Sequence, residues 1–104
     1  MRNTIRSAGI VALCALLAGA PVASFAYTGQ ELAPEAKVTI DQARAIALKV
    51  APGQITDQEL EKERGGSGLR YTFVIKRDTK AYEVGVDAQT GAVLENKVEG
   101  PNPD

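Results

Sequence analysis

The chain has 104 residues, a formal net charge of −1 at pH 7, no histidine and one cysteine. A chain of this length forms one domain around one thin hydrophobic core. The lack of histidine removes the usual general base of serine and cysteine nucleophiles, and the lack of histidine and cysteine clusters argues against a zinc or copper site. No stretch is basic enough to follow a phosphate backbone, so nucleic-acid binding is not expected.

The first 26 residues have the pattern of a secretory signal peptide. A short basic region precedes an apolar run over residues 8–20, which is too short to cross a bilayer. Small residues at Ser24 and Ala26 predict cleavage after Ala26. An uncleaved membrane anchor is the alternative. Cleavage would remove Cys14, leave no disulfide, and predict an exported protein, periplasmic or extracellular, without membrane insertion.

Residues 27–37 are mostly polar and show no hydrophobic periodicity. This pattern predicts a flexible N-terminal segment. Regular structure is expected to begin at Val38, and the predicted domain covers residues 38–99. The short glycine- and proline-containing end, residues 100–104, is predicted to be a disordered tail.

A helix is predicted to start after Thr39 and to run to about Ala51, where Pro52 stops it. Thr39 and Gln42 have the spacing of a capping box. Helical periodicity places an apolar stripe on one face, and Leu48 lies off this stripe at the helix edge. The stripe consists of Ile40, Ala43, Ile46, Ala47 and Val50.

Four strands are predicted after the helix. Residues 55–64 are highly charged, with Leu60 as the main apolar residue, which is typical of an edge strand in solvent. A helix is the alternative for this stretch, because Glu, Leu and Lys are good helix formers. Residues 69–77 alternate between apolar and polar side chains, which predicts the second strand. Residues 80–87 and 92–98 are predicted to form the third and fourth strands.

One helix stripe and one sheet face account for nearly all large apolar residues. The sequence therefore predicts an α+β fold with one N-terminal helix packed on one face of a four-stranded antiparallel meander sheet. The other sheet face is left to solvent or to a partner. The residues proposed for a partner contact on it are Arg70, Thr72, Val74, Lys76 and Gly85.

No pattern of residues indicates catalysis, a metal or a cofactor. The glycine-rich turn at residues 65–68 lacks the Lys-Ser/Thr and the following helix of a phosphate-binding loop. Asp78 and Asp87 each begin a turn and are interpreted as turn-capping residues rather than calcium ligands. Alternating glutamates at residues 59–63 are interpreted as a solvated edge, because no sugar-binding aromatic residues accompany them.

The most distinctive stretch is YEVGVD at Tyr82–Asp87, followed by Thr90-Gly91 and Val93-Leu94. Together with the helix stripe before it, this order of elements resembles the PepSY domain over residues 38–98. The resemblance implies a non-catalytic, exported binding or regulatory module. Related domains occur in propeptides of secreted metallopeptidases and in proteins that control cell-wall hydrolases. The implied partner is an exported peptidase or another envelope protein, inhibited or modulated in trans.

Two other functions fit the sequence. One is a structural or accessory envelope protein that self-associates through its edge strands, and the other is binding of a small ligand or cation at the acidic edge. A monomer or a weak oligomer is expected, and no cofactor is expected.

Overall fold

The structure, a computed structural model, describes residues 26–99. The predicted tail and the predicted signal peptide, apart from Ala26, lie outside the described residues. The described part contains a 3-10 helix, an α-helix and four strands in chain order. Their bounds are Gln30–Glu35 for the 3-10 helix, Ile40–Val50 for α1, Gln54–Lys62 for β1, Leu69–Arg77 for β2, Lys80–Asp87 for β3 and Val93–Val98 for β4.

The strands form one antiparallel sheet in the order β1-β2-β3-β4, so each strand pairs with its neighbours in sequence. β2 and β3 pair without a break from Arg70 opposite Asp87 to Arg77 opposite Lys80. The β1–β2 and β3–β4 pairings each contain one register shift. The predicted α+β fold, one helix on a four-stranded antiparallel meander, is confirmed, although the 3-10 helix precedes α1. β1 and β4 are the two edge strands.

The predicted capping box starts α1. The Thr39 hydroxyl accepts a hydrogen bond from the Gln42 N–H (3.1 Å), and the Gln42 side-chain oxygen accepts one from the Thr39 N–H (2.9 Å). Asp41 in the first turn and Lys49 in the last turn each have the charge that the helix dipole favours. Local sequence therefore sets both the start and the polarity of α1.

α1 covers one side of the sheet, called the inner face below. Ala43 and Ala47 are fully buried, and their small side chains let the helix lie close to the strands. Leu48 is partly buried against the core, as expected for the helix edge. Val50, in contrast, is 42% exposed, so its place in the buried stripe was wrong. The chain leaves helical geometry after Val50, and Ala51 takes the buried position there.

Alternate residues of the strands complete the core. The large ones that are buried are Leu60, Leu69, Tyr71, Phe73, Ile75, Val84 and Val86. The Tyr71 hydroxyl donates to the Val38 carbonyl (2.7 Å), which ties the chain before α1 to the sheet. Burial, with a smaller effect of Tyr27, raises the pKa of Tyr71 to about 12. Tyr71 is therefore neutral at physiological pH and can donate this bond.

The segment before α1 is more regular than its sequence indicates. Beyond the 3-10 helix, the Thr28 carbonyl accepts from the Leu60 N–H (2.8 Å), and Thr28 forms an isolated parallel bridge with Glu59 of β1. Leu32 packs against the core. The expectation that regular structure begins at Val38 is corrected, because a few apolar residues are enough to attach this segment to β1 without any periodicity. 

Candidate functional site

The sheet face opposite α1, called the outer face below, is the candidate site. Within residues 26–99, no helix is packed on it. The strand register places its side chains on alternate positions of the four strands: Asp57, Glu59, Glu61, Arg70, Thr72, Val74, Lys76, Glu83, Gly85, Glu95 and Lys97. Acidic side chains outnumber basic ones in this set. The outer face is therefore a mainly negative surface with Val74 as its apolar centre.

All five residues proposed for a partner contact lie on this face, but they differ in exposure. Thr72 and Gly85 are paired across β2 and β3. Arg70 and Thr72 are only 8% and 7% exposed, and Gly85 is also buried. Val74 is half-buried and Lys76 is exposed. A partner approaching this face would meet Val74 and Lys76, whereas Arg70 is not the exposed rim that the sequence indicated.

Arg70 is buried because its side chain lies across Gly85. A Cβ atom on Gly85 would be 3.1 Å from Cδ of Arg70, so the glycine leaves room for the arginine stem. The guanidinium donates to the Arg64 carbonyl (2.9 Å) and to Glu95 (3.3 Å), and it forms an ion pair with Glu63 (3.6 Å). Its Nε atom is buried and has no hydrogen-bond partner among residues 26–99. Arg70 thus covers part of the outer face itself.

The partners of Arg70 were missed at the sequence level. Glu95 lies opposite Gly85 in the β3–β4 pairing, directly beside the arginine. The alternation of β4 could have placed Glu95 on the outer face, but only the register decides which residue it faces. Glu63 lies beyond the end of β1, where alternation gives no guidance.

Two carboxyl groups of the outer face have raised pKa values. Burial raises the pKa of Glu61 most, followed by a hydrogen bond with Glu63 and the charges of neighbouring glutamates. A hydrogen bond with Glu99 raises the pKa of Glu83 most, followed by burial and neighbouring carboxylates. In both cases neighbouring carboxylates disfavour the charged form, which adds to the effect of burial.

The side chain of Asp87, at the end of β3, bonds to both the loop between β1 and β2 and the loop between β3 and β4. Its side chain is fully buried. One carboxylate oxygen accepts from the Ser67 N–H (2.7 Å), and the other accepts from the N–H groups of Gln89 (3.2 Å) and Thr90 (2.9 Å) and from the Thr90 hydroxyl (3.0 Å). Burial alone would raise the pKa of Asp87, but the hydrogen bonds from Ser67 and Thr90 outweigh it and hold the pKa well below its usual range. The turn-capping interpretation of Asp87 is confirmed.

The distinctive YEVGVD stretch therefore has a structural explanation. Gly85 gives space to Arg70, and Asp87 organises the turn that ends at Gly91. Gly91 has φ 83°, a left-handed conformation that favours glycine. These residues build the hairpin.

An open cavity of about 460 Å³ lies between the N-terminal segment, α1 and β1. Its lining includes Tyr27, Arg44, Ile55 and Gln58. The Arg44 guanidinium is already bonded to Asp41 (2.7 Å) and to the Gln58 side chain (3.4 Å). The other charged residue of the lining is Asp57, whose carboxylate accepts from the Gln58 backbone N–H (3.0 Å). The arginine is thus already engaged, and we assign no ligand to this cavity.

The described residues contain neither a group of metal ligands nor a membrane-spanning helix. Within residues 26–99, no three histidine, cysteine, aspartate or glutamate side chains are grouped so that they could hold a metal ion. In the same part of the chain, no helix has the length and apolarity needed to span a bilayer.

Comparison with known proteins gives one match. No curated protein and no solved structure matches the chain. A family model does match: PepSY, described as "Peptidase propeptide and YPEB domain", aligns with residues 37–97. The aligned range contains α1 and all of the sheet except the last residue of β4. Since this range is more than half of the chain, the protein belongs to the PepSY family.

Proposed function

We propose that this protein is an exported, non-catalytic binding module that regulates a peptidase or another envelope enzyme in trans. The observation that supports this function is the family match, because it names a peptidase propeptide domain and spans α1 and nearly the whole sheet. A propeptide-type module acts on its enzyme by contact and needs no reactive group of its own. Export rests on the predicted signal peptide and agrees with the occurrence of PepSY domains in exported proteins.

The outer face is the proposed contact surface. Val74 supplies a half-buried apolar centre beside the buried Thr72, and the stem of Arg70 covers Gly85 next to it. Exposed charged groups such as Lys76 surround this centre, which is the usual division between the core and the rim of an interface. The excess of carboxylates on the face favours a partner surface that carries basic residues.

The test combines capture with an activity measurement. The purified protein is used to capture exported proteins, and each captured peptidase is then assayed with and without the protein. Val74→Arg should abolish both capture and the effect on activity, because it places a long charged side chain at the apolar centre. Val74 lies opposite Glu83, so the new charge has an acidic neighbour and the melting temperature should change little.

Ala45→Arg is the matched control, since Ala45 is an exposed residue of α1 on the other side of the molecule and receives the same charged side chain. It should capture and regulate as the parent does. The proposed function is wrong if no captured enzyme changes its activity in the presence of the protein. If activity changes equally with the parent and with Val74→Arg, regulation stands and the contact lies on another surface.

Self-association is the second candidate function, and the open edge of β4 favours it. No comparable observation supports cation binding at the acidic edge of β1, because the carboxylates described there do not form a metal-holding group.

A further inference from the structure

The two edges of the sheet are protected to different degrees. Both edge strands contain one register shift and carry charged side chains, which are devices that keep edge strands from pairing with other chains. The edge of β1 is in addition paired with the N-terminal segment, through the bridge between Thr28 and Glu59. Among residues 26–99, no segment pairs with the free edge of β4. Val98, the last residue of β4, is 50% exposed.

The backbone of β4 has a defined orientation at this free edge. The Glu99 N–H donates to the Ala81 carbonyl (2.7 Å), and Lys97 and Glu95 are the next alternate residues paired with β3. Because hydrogen-bonded and non-hydrogen-bonded pairs alternate in an antiparallel ladder, the backbone groups of Asn96 and Val98 point away from β3. The free edge therefore presents the N–H and C=O groups of these two residues.

The sequence of this edge is complementary to itself. It reads Leu94-Glu95-Asn96-Lys97-Val98. If two copies run antiparallel with Asn96 opposite Asn96 of the second copy, each Glu95 lies opposite a Lys97. Lys97 already contacts Glu95 of its own chain (3.1 Å), and in the pair of copies the same two charges also meet across the strands. Oppositely charged side chains in directly facing positions stabilise a sheet. With Asn96 at the centre, the outward-facing N–H and C=O groups of Asn96 in the two copies also lie opposite each other.

Neighbouring registers are much poorer. Centring the pair on Glu95 places two glutamates opposite each other, and centring it on Lys97 places two lysines opposite each other. A register centred between two residues would set an outward-facing backbone group against an inward-facing one, so the ladder could not form. Charge and hydrogen bonding thus select the same register, and it is one with two-fold symmetry.

We infer that two copies of this protein pair antiparallel along β4, centred on Asn96, so that their sheets join into one continuous sheet. The interface consists of one strand edge with its flanking side chains, which is small, so the dimer forms and dissociates with protein concentration. The pairing leaves the centre of the outer face open, so it does not depend on the regulation of an enzyme proposed above. It specifies the strand and the register of the self-association that is the second candidate function.

A charge-reversal mixing experiment tests the register. In sedimentation velocity at low salt, the parent protein should sediment faster as its concentration rises towards the millimolar range. Glu95→Lys and Lys97→Glu should each abolish this increase, because every facing pair then has like charges. An equimolar mixture of the two variants should restore it, because each copy then meets opposite charges on the other.

A backbone variant tests the pairing without changing charge. Asn96→Pro removes an N–H that points to solvent and leaves the hydrogen bonds to β3 intact, a position where proline is tolerated in an edge strand. Asn96→Pro should lose the increase of the sedimentation coefficient with concentration, whereas Asn96→Ala, which keeps the N–H, should retain it. This pair decides the question by itself if Glu95→Lys, which also loses a bond to Arg70, fails to fold.

Three results would overturn the inference. They are a parent protein that sediments as a monomer at every concentration, a mixture of the charge variants that shows no recovery, and self-association of Asn96→Pro equal to that of the parent.

Discussion

The inner face of the sheet is covered by a helix, whereas the outer face is covered in part by a single arginine side chain. On the inner face, α1 packs on apolar residues such as Phe73 and Val84, both of which are fully buried. On the outer face, Arg70 lies over Gly85 and is fixed by hydrogen bonds and ion pairs. The inner face is therefore stabilised by removal of apolar surface from water, and the outer face by paired charges. The two faces should respond differently to mutation and to pH.

The largest expected effect is on the inner face. Phe73→Ala should lower the free energy of unfolding by about 3–5 kcal/mol, because it leaves a cavity in the only apolar core of the described domain. Val74→Ala, the next residue on the same strand but on the outer face, should cost less than about 1.5 kcal/mol. Urea denaturation of both variants measures the difference. Equal losses would show that the faces are not distinct.

Asp87 links the two loops that flank the outer face, and its removal should have the next largest effect. Asp87→Ala leaves the N–H groups of Ser67 and Thr90, whose hydrogen bonds are partly buried, without an acceptor, which should cost about 1–3 kcal/mol in urea denaturation. Asp87→Asn keeps the shape and one acceptor oxygen and serves as the matched control, with a smaller loss. A loss of under about 0.5 kcal/mol for Asp87→Ala would contradict the linking role.

The same residue predicts how stability varies with pH. The pKa of Asp87 is lower in the folded protein than in the unfolded chain, so its contribution to stability is present at neutral pH. The unfolded chain takes up the proton first as pH falls below about 4, and the stabilisation is then lost. Thermal unfolding of the parent should therefore show a fall in melting temperature below this pH, and Asp87→Asn should show a smaller fall.

Two substitutions of Arg70 distinguish how its side chain stabilises the outer face, by covering the sheet or by pairing charges. Arg70→Ala removes both the covering stem and the charge, and should cost about 1–3 kcal/mol in urea denaturation. Arg70→Met keeps an apolar stem over Gly85 but removes the guanidinium that pairs with Glu63 and Glu95, so that Lys97 is the remaining cation beside Glu95. If covering of the sheet dominates, methionine should recover most of the loss, whereas similar losses for the two variants would show that charge pairing dominates.

The smallest expected effect is a gain in stability from the acidic part of the outer face. The pKa of Glu61 is raised in the folded protein, so the group stabilises the fold when protonated and loses this contribution as pH rises through the raised pKa. Glu61→Gln should therefore increase stability at pH 7 by a few tenths of a kcal/mol. Glu31, an acidic residue of the 3-10 helix, provides the control Glu31→Gln, for which no such gain is expected. A destabilised Glu61→Gln would mean that Glu61 is well paired as a carboxylate.

The helix and the strands of this fold can be predicted from the sequence, because the patterns that indicate them are local. The alternation in residues 69–77 and the turn at Asp78 place β2 and the start of β3 at the bounds that the structure shows. The capping residues Thr39 and Gln42 likewise placed the start of α1. Such signals depend on neighbours within a few residues along the chain, and a single sequence contains all of them.

Tertiary structure alone decided what each face and edge presents. Thr28 attaches to β1 across 31 positions of the chain, and Ser67 meets Asp87 across 20. Arg70 is buried only because the register brings Gly85 and Glu95 beside it. The exposure of a long charged side chain depends on the residues that the neighbouring strands place around it. Alternation along β2 could therefore assign Arg70 to the outer face, but it could not show that the arginine itself covers part of that face.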